Sequence, residues 1–184
     1  MKRSDPRERI LKTATKLFYE RGINNVGIDL VISRSGVAKM TLYHHFKSKD
    51  ELVLAFLERV QQQWTAWFTG RVNKLATDPR KRLLAVFDVL EEWFKTPDFR
   101  GCPFINTAAE VGDSRHPAHR TALRYKMGLR DYFADLASKA GVSDTVAIAD
   151  SMLMLADGAI VRAAMSGDAK IARHAKTAAT ALLS

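Results

Sequence analysis

The run from Lys39 to His45 carries the densest set of groups that could do chemistry in this sequence. It places an ammonium group, a thioether, two hydroxyl-bearing side chains and two imidazoles close together. These groups can donate to phosphate oxygens, exchange hydrogen bonds with base edges and touch a thymine methyl group. The side chains concerned are Lys39, Met40, Thr41, Tyr43, His44 and His45. The run is therefore a candidate nucleic-acid surface, and the alternative is an exposed helix without a partner.

Two short helices on either side of Gly36 would position these side chains. Residues 28–35 and 38–46 each carry apolar side chains at helical spacing, and Gly36 supplies the turn between them. In a helix-turn-helix, the second helix enters the major groove and its early side chains meet base edges. The pattern therefore predicts a helix-turn-helix over residues 28–46.

The remainder of the chain is also predicted to be helical, because no stretch shows sustained alternation of apolar and polar residues. Asp5-Pro6 is a helix start, Gly22 is a helix stop, and Ser48-Lys49-Asp50-Glu51 is a capping box that begins a fourth helix reaching about Leu75. The later helices are predicted over about 79–96, 105–112, 117–139, 144–166 with Ser143 as the cap, and 169–183.

This pattern predicts an all-α protein of about nine helices in two domains. Residues 1–49 form a three-helix DNA-binding domain that contains the helix-turn-helix, and residues 50–184 form a larger helical domain. The last two predicted helices are rich in alanine, and small residues let helix axes approach closely. We expect them to form a packing platform, with a second copy of the chain as one candidate partner.

Positive charge is concentrated at the N-terminal end. Residues 1–49 hold eleven Lys/Arg and four Asp/Glu, a formal charge of +7, whereas residues 50–184 contribute only +2. Such a field attracts polyanions, with nucleic acid as the first candidate and an anionic membrane surface as the second. Charge alone does not separate these partners from a merely solvated basic face.

Cysteine usage and hydropathy bear on the compartment. The single cysteine, Cys102, allows no internal disulfide, which fits a reducing cytosol. The longest uninterrupted apolar run, Leu52 to Leu57, is far shorter than the about 20 residues that span a bilayer. The charged N-terminal end lacks the apolar stretch of a signal peptide. We therefore predict a cytoplasmic protein with no membrane partner.

Two segments resemble the signature of the TetR (tetracycline-repressor-like) family of transcriptional regulators. They are Leu-Phe-Tyr-Glu-Arg-Gly at 17–22 and Gly-Val-Ala-Lys-Met-Thr-Leu-Tyr-His-His-Phe-Lys-Ser-Lys-Asp-Glu-Leu at 36–52. The resemblance is strong over about the first 55 residues and rests beyond them on length and helical pattern. It implies a homodimer that binds a duplex DNA operator with its first three helices. It also implies a small-molecule effector in the larger domain and pairing of the last two helices with a second copy.

The resemblance also implies roles for individual residues. Lys39, Met40, Thr41 and Tyr43 face the groove, Tyr43 and His45 touch phosphates, and Lys49 lies beside a phosphate. His44 is assigned to DNA together with them.

Three positions depart from the family pattern. Gly27 is also counted among the predicted DNA-binding residues, although it stands where a Ser or Thr hydroxyl often reaches a phosphate; glycine can still cap the second helix. Ile32 stands where a small residue is usual, and Ala38 where serine is common. We therefore expect slightly wider packing of the two short helices and a recognition helix without a side-chain cap.

Aromatic and methionine side chains of the larger domain are candidates for an effector pocket, because pockets between helices are apolar and aromatic. These candidates are Trp64, Trp67, Phe68, Trp93, Phe94, Phe104, Met127 and Met152. The alternative for each is ordinary core packing. If they line a pocket, their character predicts an apolar or aromatic effector.

Two further interpretations concern metal and redox chemistry. His116 and His119 can share a helix face and bind a metal with Glu110 or Asp113, but the pattern is thin and capping or surface histidines are the default. We therefore predict no metal site.

Cys102 lies two residues after Arg100, whose positive charge would favour a reactive thiolate. An inert buried thiol is the simpler interpretation.

An enzyme is the remaining class to weigh. The sequence contains no GxGxxG, P-loop, CxxC, HExxH or GxSxG pattern. We therefore predict no catalytic residues, no cofactor and no enzymatic activity. The leading function is a sequence-specific DNA-binding regulator, most simply a ligand-responsive repressor. The alternatives are a non-specific DNA-binding protein, which the mixed polar and apolar face of 39–45 disfavours, and a small helical enzyme.

Overall fold

The computed structural model describes residues 5–184, and over that range it consists of nine α-helices without a strand. The helices are α1 (Pro6–Arg21), α2 (Ile28–Ser35), α3 (Lys39–His45), α4 (Lys49–Leu75), α5 (Pro79–Phe94), α6 (Pro103–Val111), α7 (Pro117–Lys139), α8 (Thr145–Ser166) and α9 (Ile171–Leu182). The predicted all-α fold is confirmed.

The first two helices begin and end at the residues that the sequence marked. The Asp5 carboxylate accepts the backbone N–H of Arg7 at 3.1 Å, and Pro6 occupies the first helical position of α1. Gly36 ends α2 with a φ of 64°, a left-handed conformation that glycine adopts without a Cβ penalty. This residue makes the sharp turn that leads into α3.

The capping box at the start of α4 differs by one residue from the expected pattern. The Ser48 hydroxyl accepts the N–H of Glu51 at 3.1 Å, as expected. The Glu51 carboxylate accepts the N–H of Lys47 at 2.7 Å, one residue before the cap itself. Both free donors are satisfied, so the helix start that follows α3 is well defined.

Three predicted helix starts shift in the structure. Helix α6 begins at Pro103 and not near 105, because the fixed φ of proline suits the first helical position. The cap of α8 is Asp144, whose carboxylate accepts the N–H of Ala147 at 2.9 Å, and not Ser143. Helix α9 begins at Ile171, after a turn in which Asp168 accepts the N–H of Lys170 at 2.8 Å.

The chain divides into two compact units. Unit 1 comprises the described part of Met1–Gln63 together with Pro103–Leu123, and unit 2 comprises Trp64–Cys102 together with Arg124–Ser184. Unit 1 thus contains the whole helix-turn-helix and α6. The functional division after residue 49 stays a prediction.

The core of unit 1 positions α3. Helix α1 contacts both α2 and α3, and α2 contacts α3. Val31 and Leu42 are fully buried, and Phe46 is nearly so. Two hydrogen bonds of 2.8 Å join the Arg59 guanidinium on α4 to the Glu8 carboxylate on α1, and this pairing lowers the pKa of Glu8. These contacts leave the opposite face of α3 free.

In unit 2, α5, α8 and α9 pack against one another. Alanines such as Ala156, Ala163 and Ala172 are buried there, as the alanine-rich sequence predicts. The Arg173 guanidinium of α9 donates to the Glu91 carboxylate of α5 at 2.8 and 2.9 Å. None of the described helices combines the length and apolar composition needed to cross a bilayer.

Candidate nucleic-acid interface

Helix α3 presents a mixed face of polar and apolar side chains. Lys39, Met40, Tyr43 and His44 are exposed, with Met40 at 80% and Tyr43 at 38% exposure. Thr41 and His45 are half-buried, and Leu42 is the buried residue that anchors the helix. The predicted division of this helix into a buried apolar edge and an exposed edge therefore holds, and contact of the exposed edge with DNA stays a prediction.

The backbone alone begins α3. Ala38 provides no side-chain cap, as its sequence predicts, and its carbonyl accepts the N–H groups of Thr41 and Leu42 at 3.0 and 3.2 Å. At the other end, the N–H of Phe46 bonds to the Leu42 carbonyl at 2.8 Å, and the guanidinium of Arg7 lies 5.2 Å from the Phe46 ring centre. Backbone hydrogen bonds therefore close both ends of α3.

Cationic and hydrogen-bonding groups surround this face. Helix α3 contains no acidic side chain, and Lys39 is exposed at its start. The Lys47 ammonium donates to the His44 carbonyl at 3.2 Å, and the His44 and His45 rings meet edge to face at 5.1 Å. Helix α3 thus carries hydrogen-bond donors and positive charge but no carboxylate of its own, which suits a surface that contacts phosphates.

The other two sequence-predicted DNA residues lie at helix starts of unit 1. Gly27 precedes α2, is exposed and has an extended backbone without a side-chain cap. Lys49 is the first residue of α4 and is half-buried. The structure therefore places all eight predicted DNA-binding residues in one unit.

A long-range contact on α6 was not predicted from the sequence. The Glu110 carboxylate accepts the N–H of Asn24 at 2.8 Å, and the Asn24 side-chain amide donates to the Glu110 carbonyl at 2.9 Å. Gly22 has a φ of 83°, which strains any other residue, and a Cβ added there would also lie 2.7 Å from a Glu110 oxygen. The partners are 86 residues apart, and no local pattern marks them.

Of the two histidines near the start of α7, His116 acts as a helix cap. The Nδ1 of His116 accepts the N–H of Ala118 at 3.1 Å, so this imidazole caps α7. Its Nε2 lies 3.4 Å from the Asp50 carboxylate. Over residues 5–184 no group of three or more His, Cys, Asp or Glu is placed to hold a metal.

Four of the effector-pocket candidates meet in an aromatic cluster of unit 2. Trp64 stacks on Phe68 at 4.3 Å between ring centres and meets Trp93 edge to face at 5.7 Å. Phe94 joins through Trp93 at 6.0 Å. We call these four residues, with the two tyrosines introduced next, the aromatic cluster.

Helix α7 contributes two tyrosines that were not predicted from the sequence. Tyr125 meets Trp64 at 6.2 Å, and Tyr132 meets Phe68 at 6.3 Å. Burial raises the pKa of both phenols. Their spacing of two helical turns was a usable signal, because it puts both rings on one face of a helix.

The other four effector-pocket candidates, Trp67, Met127, Met152 and Phe104, differ in their exposure and position. Trp67 contacts Trp64 at 6.4 Å but is 39% exposed, and Met127 is 41% exposed. Met152 is fully buried. Phe104 belongs to unit 1, where it is also buried.

Two polar atoms of the cluster are buried without a hydrogen-bond partner. They are the indole Nε1 of Trp64 and the hydroxyl oxygen of Tyr132. A buried donor left unsatisfied costs about 1–3 kcal/mol. The cluster is therefore mainly apolar but carries two donors that have no partner among residues 5–184.

Cys102 is buried at 5% exposure. The Arg100 guanidinium donates to the Phe99 carbonyl at 2.8 Å. Burial of the thiol accords with the interpretation of Cys102 as a small apolar side chain.

The buried anchor and exposed face of α3, preceded by the Gly36 turn, define a helix-turn-helix DNA-binding protein. Residues 10–56 match the family described as bacterial regulatory proteins of the tetR family. Residues 79–179 match the tetracyclin repressor-like C-terminal domain. The chain belongs to the TetR family, as the sequence resemblance predicted.

Individual relatives agree with this membership. The transcriptional regulator YjdC of Escherichia coli is 26% identical over 156 residues, which cover 85% of this chain and 82% of YjdC. The repressor NemR of Escherichia coli is 29% identical over 110 residues, 59% of this chain and 55% of NemR. The crystal structure of a TetR-family regulator from Streptomyces coelicolor superposes with a TM-score of 0.90 at 32% identity, over 98% of this chain and 95% of that one.

The predicted function class is thereby confirmed. The protein is a DNA-binding transcriptional regulator, and its family consists of transcriptional regulators rather than enzymes.

Proposed function

We propose that this regulator is a repressor that binds a near-palindromic operator as a homodimer and releases it when a small molecule binds unit 2. The observation that carries the proposal is the exposed face of α3, on which Lys39, Met40 and Tyr43 are exposed whereas Leu42 is buried. A helix held by one edge and free along the other can enter the major groove without rearrangement.

The side chains of this face divide into two roles. Lys39, Met40, Thr41 and His44 are proposed to meet base edges. Tyr43, which can also reach the groove, His45, Lys49 and the backbone at Gly27 are proposed to contact phosphates. Phosphate contacts supply register and affinity, whereas base contacts select the site.

Selection of bound duplexes from a random DNA pool at moderate salt tests this function. A dimer with two recognition helices should recover an inverted repeat whose half-sites lie about 34–36 Å apart or at a multiple of that distance. Recovery of no preferred sequence, with binding that vanishes as salt rises, would contradict it in favour of non-specific binding. Ligand-stripped, refolded protein serves as the control for a co-purified inducer.

Helix α8 supports pairing with a second copy. Its outer face carries residues at alternating spacings of four and three, the spacing of a coiled-coil seam. They are Ala147, Ser151, Met154, Gly158, Val161 and Met165. Met154 is 67% exposed and Met165 is 83% exposed, which leaves this seam open within one copy. On α9, Leu182 adds an exposed apolar side chain at 46%.

The aromatic cluster supports an apolar or aromatic effector. Such a ligand drives operator release only if it binds the non-DNA-binding arrangement more tightly. The unpartnered Trp64 Nε1 and Tyr132 hydroxyl would each gain a partner from a ligand that carries a hydrogen-bond acceptor. A flat aromatic molecule with a ring nitrogen or carbonyl fits both requirements.

A thermal-shift comparison of naphthalene and quinoline tests this effector class, because quinoline has the same shape and one added acceptor. We expect quinoline to stabilise the wild-type protein more than naphthalene does, and the double variant Trp64→Phe with Tyr132→Phe, which removes both free donors, to abolish the difference. Phenylalanine keeps an aromatic ring and removes the N–H or O–H donor. Stabilisation only by polar sugars or metal ions would overturn the proposed effector class.

A further inference from the structure

We propose that Met40 reads the 5-methyl group of a thymine at a fixed position in each operator half-site. The inference rests on the proposed function, in which the exposed face of α3 enters the major groove. It adds the identity of the base feature that one side chain selects.

Met40 is the most exposed large apolar side chain of α3. A rotation of 100° per residue puts it about 160° around the helix from the buried anchor Leu42. Its 80% exposure agrees with this position, and its exposed neighbours on the helix are Lys39, Tyr43 and His44. The outward side of α3 thus carries a strongly exposed apolar side chain among polar ones.

The surroundings of Met40 select DNA as its partner over an apolar protein surface. Helix α3 has no acidic side chain, Lys39 precedes Met40 directly, and Lys47 and Lys49 follow the helix. An apolar protein partner would have to bury these charges without compensation. A DNA groove instead neutralises the charges at its phosphate edges while the central side chain reaches its floor.

The chemistry of the groove floor then specifies the contact. Among the base edges of the major groove, the thymine 5-methyl is the apolar group, whereas the other edges present hydrogen-bond donors and acceptors. A thioether side chain makes no hydrogen bond of comparable strength with those edges. Its unbranched, flexible chain can cover a methyl group and remove both surfaces from water.

Thymine-to-uracil replacement tests the contact, because deoxyuridine differs from thymidine by the 5-methyl group alone. In the operator recovered by selection, one thymine position at a time is replaced by uracil, in both half-sites of the same duplex. The Kd of each duplex is then measured by fluorescence anisotropy. We expect wild-type binding to weaken at one symmetric position, by about fourfold for each methyl group lost. Met40→Ala should bind thymine and uracil equally there, and Met40→Leu should retain a preference for thymine.

Leu123→Ala is the matched control, because Leu123 is an exposed aliphatic residue of unit 1 outside α3, at 54% exposure. It should keep the wild-type response to uracil. A uracil response that is the same in wild-type protein and Met40→Ala, or absent from both, overturns the inference while the recovered inverted repeat leaves the proposed function intact. Failure to recover any operator overturns the proposed function and the inference with it.

Discussion

A side chain can contribute to DNA binding in three different ways, for which Tyr43, Lys49 and Lys39 are the examples proposed for this protein. A neutral hydroxyl and a cation can both hold a phosphate, but only the cation releases a counterion when it binds. A side chain that meets a base edge contributes to the choice of site. Their substitutions should therefore produce different signatures.

Lys49→Gln should weaken binding to every operator variant and reduce the slope of log K against log salt by about one. Tyr43→Phe should also weaken binding uniformly, by about tenfold or more, since it removes a hydrogen bond to a charged group. Its salt slope should equal that of the wild type. Titrations at four salt concentrations distinguish the two, and an unchanged slope for Lys49→Gln would remove Lys49 from the phosphate contacts.

Lys39→Ala should relax the preference at one base position, because a bidentate contact discriminates by about 1–3 kcal/mol. Binding at the other positions should keep its ranking. Repeating the selection with the variant measures this directly. If the preferred sequence is unchanged, Lys39 contacts the backbone and not a base.

At the scale of the element, the start of α4 depends on one hydroxyl. Ser48 caps the helix through the N–H of Glu51 at 3.1 Å. Ser48→Ala should lower the free energy of unfolding by about 1 kcal/mol. Ser143→Ala is the matched comparison, because Asp144 and not Ser143 caps α8. Urea unfolding should show a loss for the first variant and almost none for the second.

The ion pair between Glu91 of α5 and Arg173 of α9 should make the free energy of unfolding depend on pH. Hydrogen bonds from Arg173 and Lys95 lower the pKa of Glu91 to about 2, from an ordinary value of 4.5. Because the folded pKa is the lower one, this stabilisation is complete above about pH 4.5 and is lost as the pH falls towards 2.

Glu91→Gln should therefore lower the free energy of unfolding by about 2 kcal/mol at pH 7, a value within the range for hydrogen bonds to a charged group. The difference from wild type should shrink between pH 4.5 and 2. Asp135→Asn is the control, since Asp135 pairs with Lys139 on the exposed surface of α7 at 2.7 Å, and such pairs contribute little. Urea unfolding across that pH range measures both, and a pH-independent difference would show that Glu91 acts through packing alone.

At the scale of the whole molecule, the proposed dimer depends on the α8 seam. Met154→Glu places a carboxylate on that seam, where burial of an unpaired charge strongly opposes association. We expect a monomer in sedimentation velocity, with the helical circular dichroism retained because Met154 is 67% exposed. The variant should also lose most of its operator affinity, since each half-site alone binds more weakly.

Leu123→Glu provides the comparison, because Leu123 is an exposed leucine that belongs to unit 1 and is not one of the seam residues of α8. It should remain dimeric. A Met154→Glu protein that sediments as a dimer would place the interface elsewhere.

Local patterns in the sequence by themselves determine much of this protein's architecture. The number of helices, the Gly36 turn and the Ser48 cap depend on interactions between residues that are close together in the sequence. Such interactions can therefore be predicted from a short stretch of the chain. The exposed face of α3 follows from the same periodicity, because one buried leucine settles which side of a short helix is free. The family resemblance rests on this local stretch.

The tertiary structure decided what depends on residues far apart in the chain. It pairs Glu110 with Asn24 across 86 positions, and it places α6 in the same unit as the helix-turn-helix. It gathers Trp64, Phe68 and Trp93 around the unpredicted tyrosines of α7 but leaves Trp67 partly exposed. Periodicity predicts which side chains are buried. It does not predict which buried side chains contact one another, because those contacts depend on how whole helices pack, and helix packing depends on residues throughout the chain.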